Sequence, residues 1–160
     1  MPSALVARAA AVAALALLAA GCTAPTGPTP EEVTAWMDEQ DAAPPPAALL
    51  GSATGRVDAG DPAPTGPPQV SLGFDTAAQL DGVRLSCQGD GSLDFDVSVT
   101  TEAAEGGTRT EVVAFPDVPC GAEARDEALD TTGVVGVGVT GYGADRAGAW
   151  HALVLGSTGA

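Results

Sequence analysis

The sequence predicts an all-β protein: an antiparallel β-sandwich of about six to eight strands, preceded by a signal peptide, a flexible tether and one short helix. Three observations predict it. From Gln69 onward apolar residues recur with period two. The strand-like runs are short and are broken by glycine and proline. Eleven of the 13 prolines lie at or before Pro68, where they disfavour a sheet interior.

The clearest run is the third. Leu93, Phe95, Val97 and Val99 alternate with Asp94, Asp96, Ser98 and Thr100, so one face is buried and the other wet. Before it, Val70, Leu72 and Phe74 form one alternating set, and Val83, Leu85 and Cys87 another. Gly89-Asp90-Gly91 then reads as a hairpin turn, because glycine supplies positive φ. Further strands are expected over Arg109 to Phe115, Val134 to Thr140 and Ala149 to Leu155. Val135, Val137 and Val139 alternate with Gly136 and Gly138, and Trp150, Ala152 and Val154 share one face of the last strand. Ala122 to Asp130 fits either a short strand or a helical turn. The β domain is assigned to residues 69–160.

Residues 22–68 read as a Pro/Gly/Ala-rich tether with one short helix near 30–41. Thr29 is a good N-cap, Pro30 suits N1, and Glu32 completes a capping box. Val33, Trp36 and Met37 fall on one helical face, and Pro44-Pro45-Pro46 stops the helix. About eleven residues is marginal for an isolated helix, so this face must dock, either on its own domain or on a partner. GSATG, Gly51 to Gly55, has Ser52 in the wrong place for a nucleophile elbow and reads as loop.

Residues 1–21 form a leader. Arg8 precedes twelve uncharged apolar residues, Ala9 to Ala20. At a helical rise of about 1.5 Å per residue that run spans roughly 18 Å, against a bilayer core of about 30 Å. A basic residue, a short apolar run and a small-residue exit make a secretory signal peptide. The exit, Leu18-Ala19-Ala20-Gly21-Cys22, resembles the bacterial lipobox, with Ala19 at the third position before the cysteine and Leu18 one place earlier. That resemblance implies a diacylglyceryl group on Cys22, cleavage just before it, and a lipid anchor on the extracytoplasmic face of the cell membrane. Two acyl chains, at about 0.8 kcal/mol per buried CH₂, hold a protein stably on a membrane.

Cysteine parity agrees. If lipid consumes Cys22, or if it is removed with the leader, Cys87 and Cys120 remain and pair in an oxidising compartment. A Cys87–Cys120 bridge would close a loop of about 34 residues, worth roughly 3–4 kcal/mol in the chain-entropy model.

The stretch GVRLSCQGDGSLDFDVSV, followed by VPCG, Gly-spaced valines and GAWHALVL, resembles small lipoproteins of high-GC Gram-positive bacteria. The resemblance extends over most of residues 29–156. It implies a lipobox, a low-complexity tether and a disulfide-stapled β domain, and carries no catalytic or ligand-binding residues.

Charge narrows the partners. There are 21 acidic residues against six basic ones, for a net charge of −15. Such a surface repels phosphate backbones and disfavours nucleic acid. The expected partners are the membrane, through the N-terminal anchor, and a protein or glycan of the envelope.

No constellation points to catalysis. A Ser-His-Asp hydrolase needs an oriented base, and the single histidine, His151, sits in a strand pattern. The residue set does not suit zinc. Asp90, Asp94 and Asp96 are close in sequence, yet lack the calcium-loop spacing and read as a turn residue and a wet strand face. Asp94 and Asp96 satisfy a paired-carboxylate spacing trivially, without a cleft. Trp36, Tyr142 and Trp150 are the candidate stacking residues for a sugar, with Trp150 a better core residue and Tyr142 placed in a Gly-rich loop. The expectation is a non-catalytic binding or interaction domain without metal or cofactor. The alternatives are a carbohydrate-binding module using Tyr142 and a small envelope hydrolase using His151.

Overall fold

The computed structural model describes residues 27–159. Cys22 and the expected leader, residues 1–21, lie outside that range. The first element is the helix α1, Pro30–Ala42. The strands follow as β1 (Leu49–Val57), β2 (Val70–Cys87), β3 (Ser92–Glu102), β4 (Thr108–Pro119), β5 (Arg125–Tyr142) and β6 (Gly148–Thr158). They form one antiparallel sheet of six strands in the order β1-β6-β2-β5-β3-β4.

The sheet folds over on itself. Three strand spacings separate β6 from β3, about 14 Å in a flat sheet. Yet the rings of Trp150 on β6 and Phe95 on β3 meet edge to face with centroids 5.8 Å apart. The bend lies in β2 and β5, each 18 residues long. Their pairing is irregular between Gly73 and Gly82, and Gly133 takes φ +69° opposite that stretch. One end of β2 pairs with β6 over Ala78–Cys87. The opposite end of β5 pairs with β3 over Val134–Tyr142. Both long strands thus run through both layers, and one core fills the space between. Leu80, Val83, Leu85, Leu93, Phe95, Val97, Val134, Val139, Trp150 and Val154 are all fully buried in it.

Two sequence expectations about strand count change here. The runs 70–74 and 83–87 are a single bent strand, and 125–130 continues directly into 134–140. A strand that turns a corner through a bulge reverses its alternation, so it looks like two strands in sequence. The same shift explains why Val134, and not Val135, is fully buried.

The GSATG segment is not loop. It lies within β1, paired with β6 from Leu49 to Val57. Its inward residues are Ala53, Gly55 and Val57, and the Trp150 indole lies over Gly55 and leaves no room there for a larger side chain. A strand made of small residues carries no hydrophobic alternation.

The folded unit therefore begins well before residue 69. The helix α1 packs on its own domain. Val33 is buried, the Gln88 side-chain amide donates to the Glu32 carbonyl (3.0 Å), and Arg56 on β1 donates to the Thr34 hydroxyl (3.0 Å). Both capping-box bonds are present: the Thr29 N–H donates to Glu32 Oε2 (2.7 Å) and the Glu32 N–H to the Thr29 hydroxyl (3.3 Å).

Cys87, at the end of β2, is bonded to Cys120, just after β4. The Gly121 N–H donates to the Cys87 carbonyl (3.0 Å) and the Cys120 N–H to Gly91 (2.9 Å), so the bridge ties the last turn of one layer to the other.

Candidate functional site

Alternation along β6 sends Trp150, Ala152 and Val154 into the core and His151 and Leu153 to the opposite face. That outer face would be wet in a bare sandwich. Here the C-terminal end of α1 and the Pro44-Pro45-Pro46 segment lie across it. Between them and the strands lies a cleft of about 620 Å³. His151 and Leu153 of β6, Ser86 and Arg84 of β2 and Ser52 of β1 line the sheet side, with Gln40 and Asp41 of α1 on the other.

His151 is only 5% exposed. Burial pushes its pKa below the usual histidine value, and the Asp41 carboxylate opposes that only in part. The imidazole is thus neutral around pH 7, able to donate from one nitrogen and accept at the other. Asp41 accepts from the Thr54 hydroxyl (3.4 Å), which holds the helix end over β1. Arg84 makes a two-pronged bond to Asp126 (2.6 and 2.9 Å), which raises the guanidinium pKa and lowers that of the carboxyl. The result is a mixed cleft of hydroxyls, a neutral imidazole and aliphatic walls, suited to a small polar ligand.

A hydrolase would need a serine hydroxyl on the imidazole. The Ser86 hydroxyl instead donates to the backbone carbonyl of His151 (3.4 Å).

The other candidate residues scatter. Asp90 is exposed in the β2–β3 turn, about 4.0 Å from Arg146. Asp94 accepts from the Asp117 N–H (2.8 Å) and Asp96 from the Tyr142 hydroxyl (3.1 Å). Among the described residues, no group of three or more His, Cys, Asp or Glu is placed to hold a metal. Tyr142 ends β5 and is half-buried; burial, then its bond to Asp96, raises the phenol pKa. Trp36 is half-buried on α1 and Trp150 fully buried, so the three rings form no common platform.

A second cavity of about 490 Å³ lies beside the disulfide, between the start of α1, the β2–β3 turn and the β5–β6 loop. Among the described residues, Gln88 Oε1 is buried there without a hydrogen-bond partner.

The His151 cleft was not legible in sequence. It exists because α1 and the proline segment cover a strand face, and that docking depends on contacts between residues far apart in the chain.

No family model, curated protein or solved structure matches this chain.

Proposed function

We propose that the protein is a lipid-anchored lipoprotein on the extracytoplasmic face of the cell membrane, carrying a non-catalytic binding domain of the envelope. The observation that carries this reading is the cysteine arrangement. Cys87 and Cys120 are joined, which leaves Cys22, at the end of the lipobox-like Leu18–Gly21 run, as the one cysteine not in that bridge. A disulfide staple suits an oxidising, exported setting.

The early start of the folded unit sharpens the proposal. Gly27 already lies against the β5–β6 loop. The five peptide steps from Cys22 to Gly27 reach at most about 18 Å. An acylated Cys22 would therefore hold the domain at the membrane surface, not far out on a long spacer. The ligand or partner, an envelope protein or glycan, is then one met close to the bilayer, and the His151 cleft is the place to seek it.

The test is mass spectrometry of membrane-fraction protein from an exporting host. An N-terminal peptide beginning at acylated Cys22, lost in Cys22→Ser along with membrane association, is the expected result. A soluble protein with a different N-terminus overturns it. The hydrolase alternative rests on His151 lining the cleft, and a hydrolytic activity abolished in a folded His151→Ala variant would favour it over binding alone.

A further inference from the structure

We infer that β4 is a self-pairing edge through which two copies of this chain join into one continuous sheet. The proposal is independent of the anchor and of the His151 cleft.

Strand β4 is one of the two edge strands of the sheet and, among the described residues, pairs along its length only with β3. An open strand edge presents unpaired N–H and C=O groups and is a template for another strand. Proteins commonly blunt such edges with proline or a covering loop. Here Thr108 to Val112 contains no proline and all five residues are exposed, with the Pro64 to Pro68 loop lying beside only the Val112 end. Val112, 58% exposed, is the one large hydrophobic side chain so exposed among the described residues.

The charges on this edge select a partner and a register. Arg109 and Glu111 lie on one face of β4, beside Thr101 and Val99 of β3. Two copies related by a twofold axis perpendicular to the sheet pair antiparallel, with like faces together. An axis through Thr110 puts each Arg109 opposite the other copy's Glu111, and each Val112 opposite Thr108. Moving the axis one residue either way puts Arg109 opposite Arg109, or Glu111 opposite Glu111. Opposite charges across a strand pair stabilise it and like charges destabilise it. The edge is thus self-complementary in one register and self-repelling in both neighbouring ones. That register also sets the Thr108 methyl beside Val112. About five paired residues make a small interface, so the dimer is weak and is best trapped covalently.

The test uses the full chain, exported to an oxidising compartment, with single added cysteines. In Thr110→Cys the two thiols lie directly opposite, with Cα atoms about 4.5–5.5 Å apart, within disulfide reach. In Val112→Cys they are displaced by four residues, roughly 13 Å along the strand, and out of reach. The expected result is a reducible dimer band for Thr110→Cys at least fivefold stronger than for Val112→Cys or the parent chain. In the Thr110→Cys background, Arg109→Glu should cut that band severalfold, and Arg109→Glu with Glu111→Arg should restore it. Rescue by the double swap separates pairing from misfolding. Absence of the Thr110→Cys dimer, equal bands at both positions, or failure of the double swap to rescue overturns the proposal.

Discussion

Trp150 on β6 and Gly141 on β5 are in such close contact that a Cβ on Gly141 would lie 2.6 Å from indole Cδ1. The indole crosses the interior from one layer to the other. Its N–H donates to Gln69 Oε1 (3.1 Å), which also accepts from the Gly141 N–H (3.3 Å). The buried polar end of the ring is thereby satisfied. This one side chain explains two otherwise weak strand residues, Gly141 and Gly55.

Gly141→Ala should therefore destabilise the fold by overpacking, by about 1–3 kcal/mol. Trp150→Ala should cost about 3–5 kcal/mol through lost burial and a cavity. In Trp150→Ala the Gly141→Ala substitution should become nearly neutral, because the added methyl then has space. Urea unfolding of the four proteins measures this; additive effects would show that the two residues do not share the volume.

Replacing Cys87 and Cys120 together by alanine should lower stability by about 3–4 kcal/mol, since the bridge spans a sequence separation of 33. Reduction of the native protein should shift the urea midpoint similarly. An unchanged midpoint on reduction would mean that the surrounding hydrogen bonds hold the two layers without the bond.

His151 gives stability a specific pH dependence. Its pKa in the fold lies below the unfolded value, so the unfolded chain binds the extra proton first. The stabilising difference is complete above the unfolded histidine pKa, about 6.5, and is lost as pH falls below it toward the folded value. Glu32 and Asp126 act in the carboxylate range at lower pH, where their lowered pKa values make stability fall on acidification. His151→Gln should flatten the stability curve between pH 5 and 7, about the range of histidine titration, and leave the more acidic limb unchanged. Chemical denaturation at fixed pH steps checks this; an unchanged slope near pH 6 contradicts it.

Thr29→Ala removes the side-chain half of the capping box at the start of α1, the Glu32 N–H bond to the Thr29 hydroxyl, and keeps the backbone N–H that donates to Glu32. The expected loss is about 1 kcal/mol. Because α1 covers part of the cleft, the backbone N–H groups of Val33 to Ala42 should exchange faster with solvent, while those of β2 and β5 change little. Uniform exchange across the sheet would show that α1 and the core open together.

Much of the fold was legible where each residue meets one consistent environment. The β3 pattern from Leu93 to Val99 keeps a single register, and its inward residues are buried as the alternation requires. Thr29, Pro30 and Glu32 specify the helix start through local hydrogen bonds alone, and cysteine parity singles out Cys87 and Cys120. Where the chain bends or packs against a distant ring, the local pattern fails. The bulges in β2 and β5 shift the period, and Gly55 of β1 is small because Trp150, almost a hundred residues later, fills its space. The burial of His151 depends in the same way on α1 and Pro44 to Pro46 docking over β6. Period, caps and cysteine number are properties of neighbouring residues and were determined by the sequence alone. Closing the sheet on itself, covering its outer face and leaving the β4 edge open are relations between distant segments, and only the tertiary structure decided them.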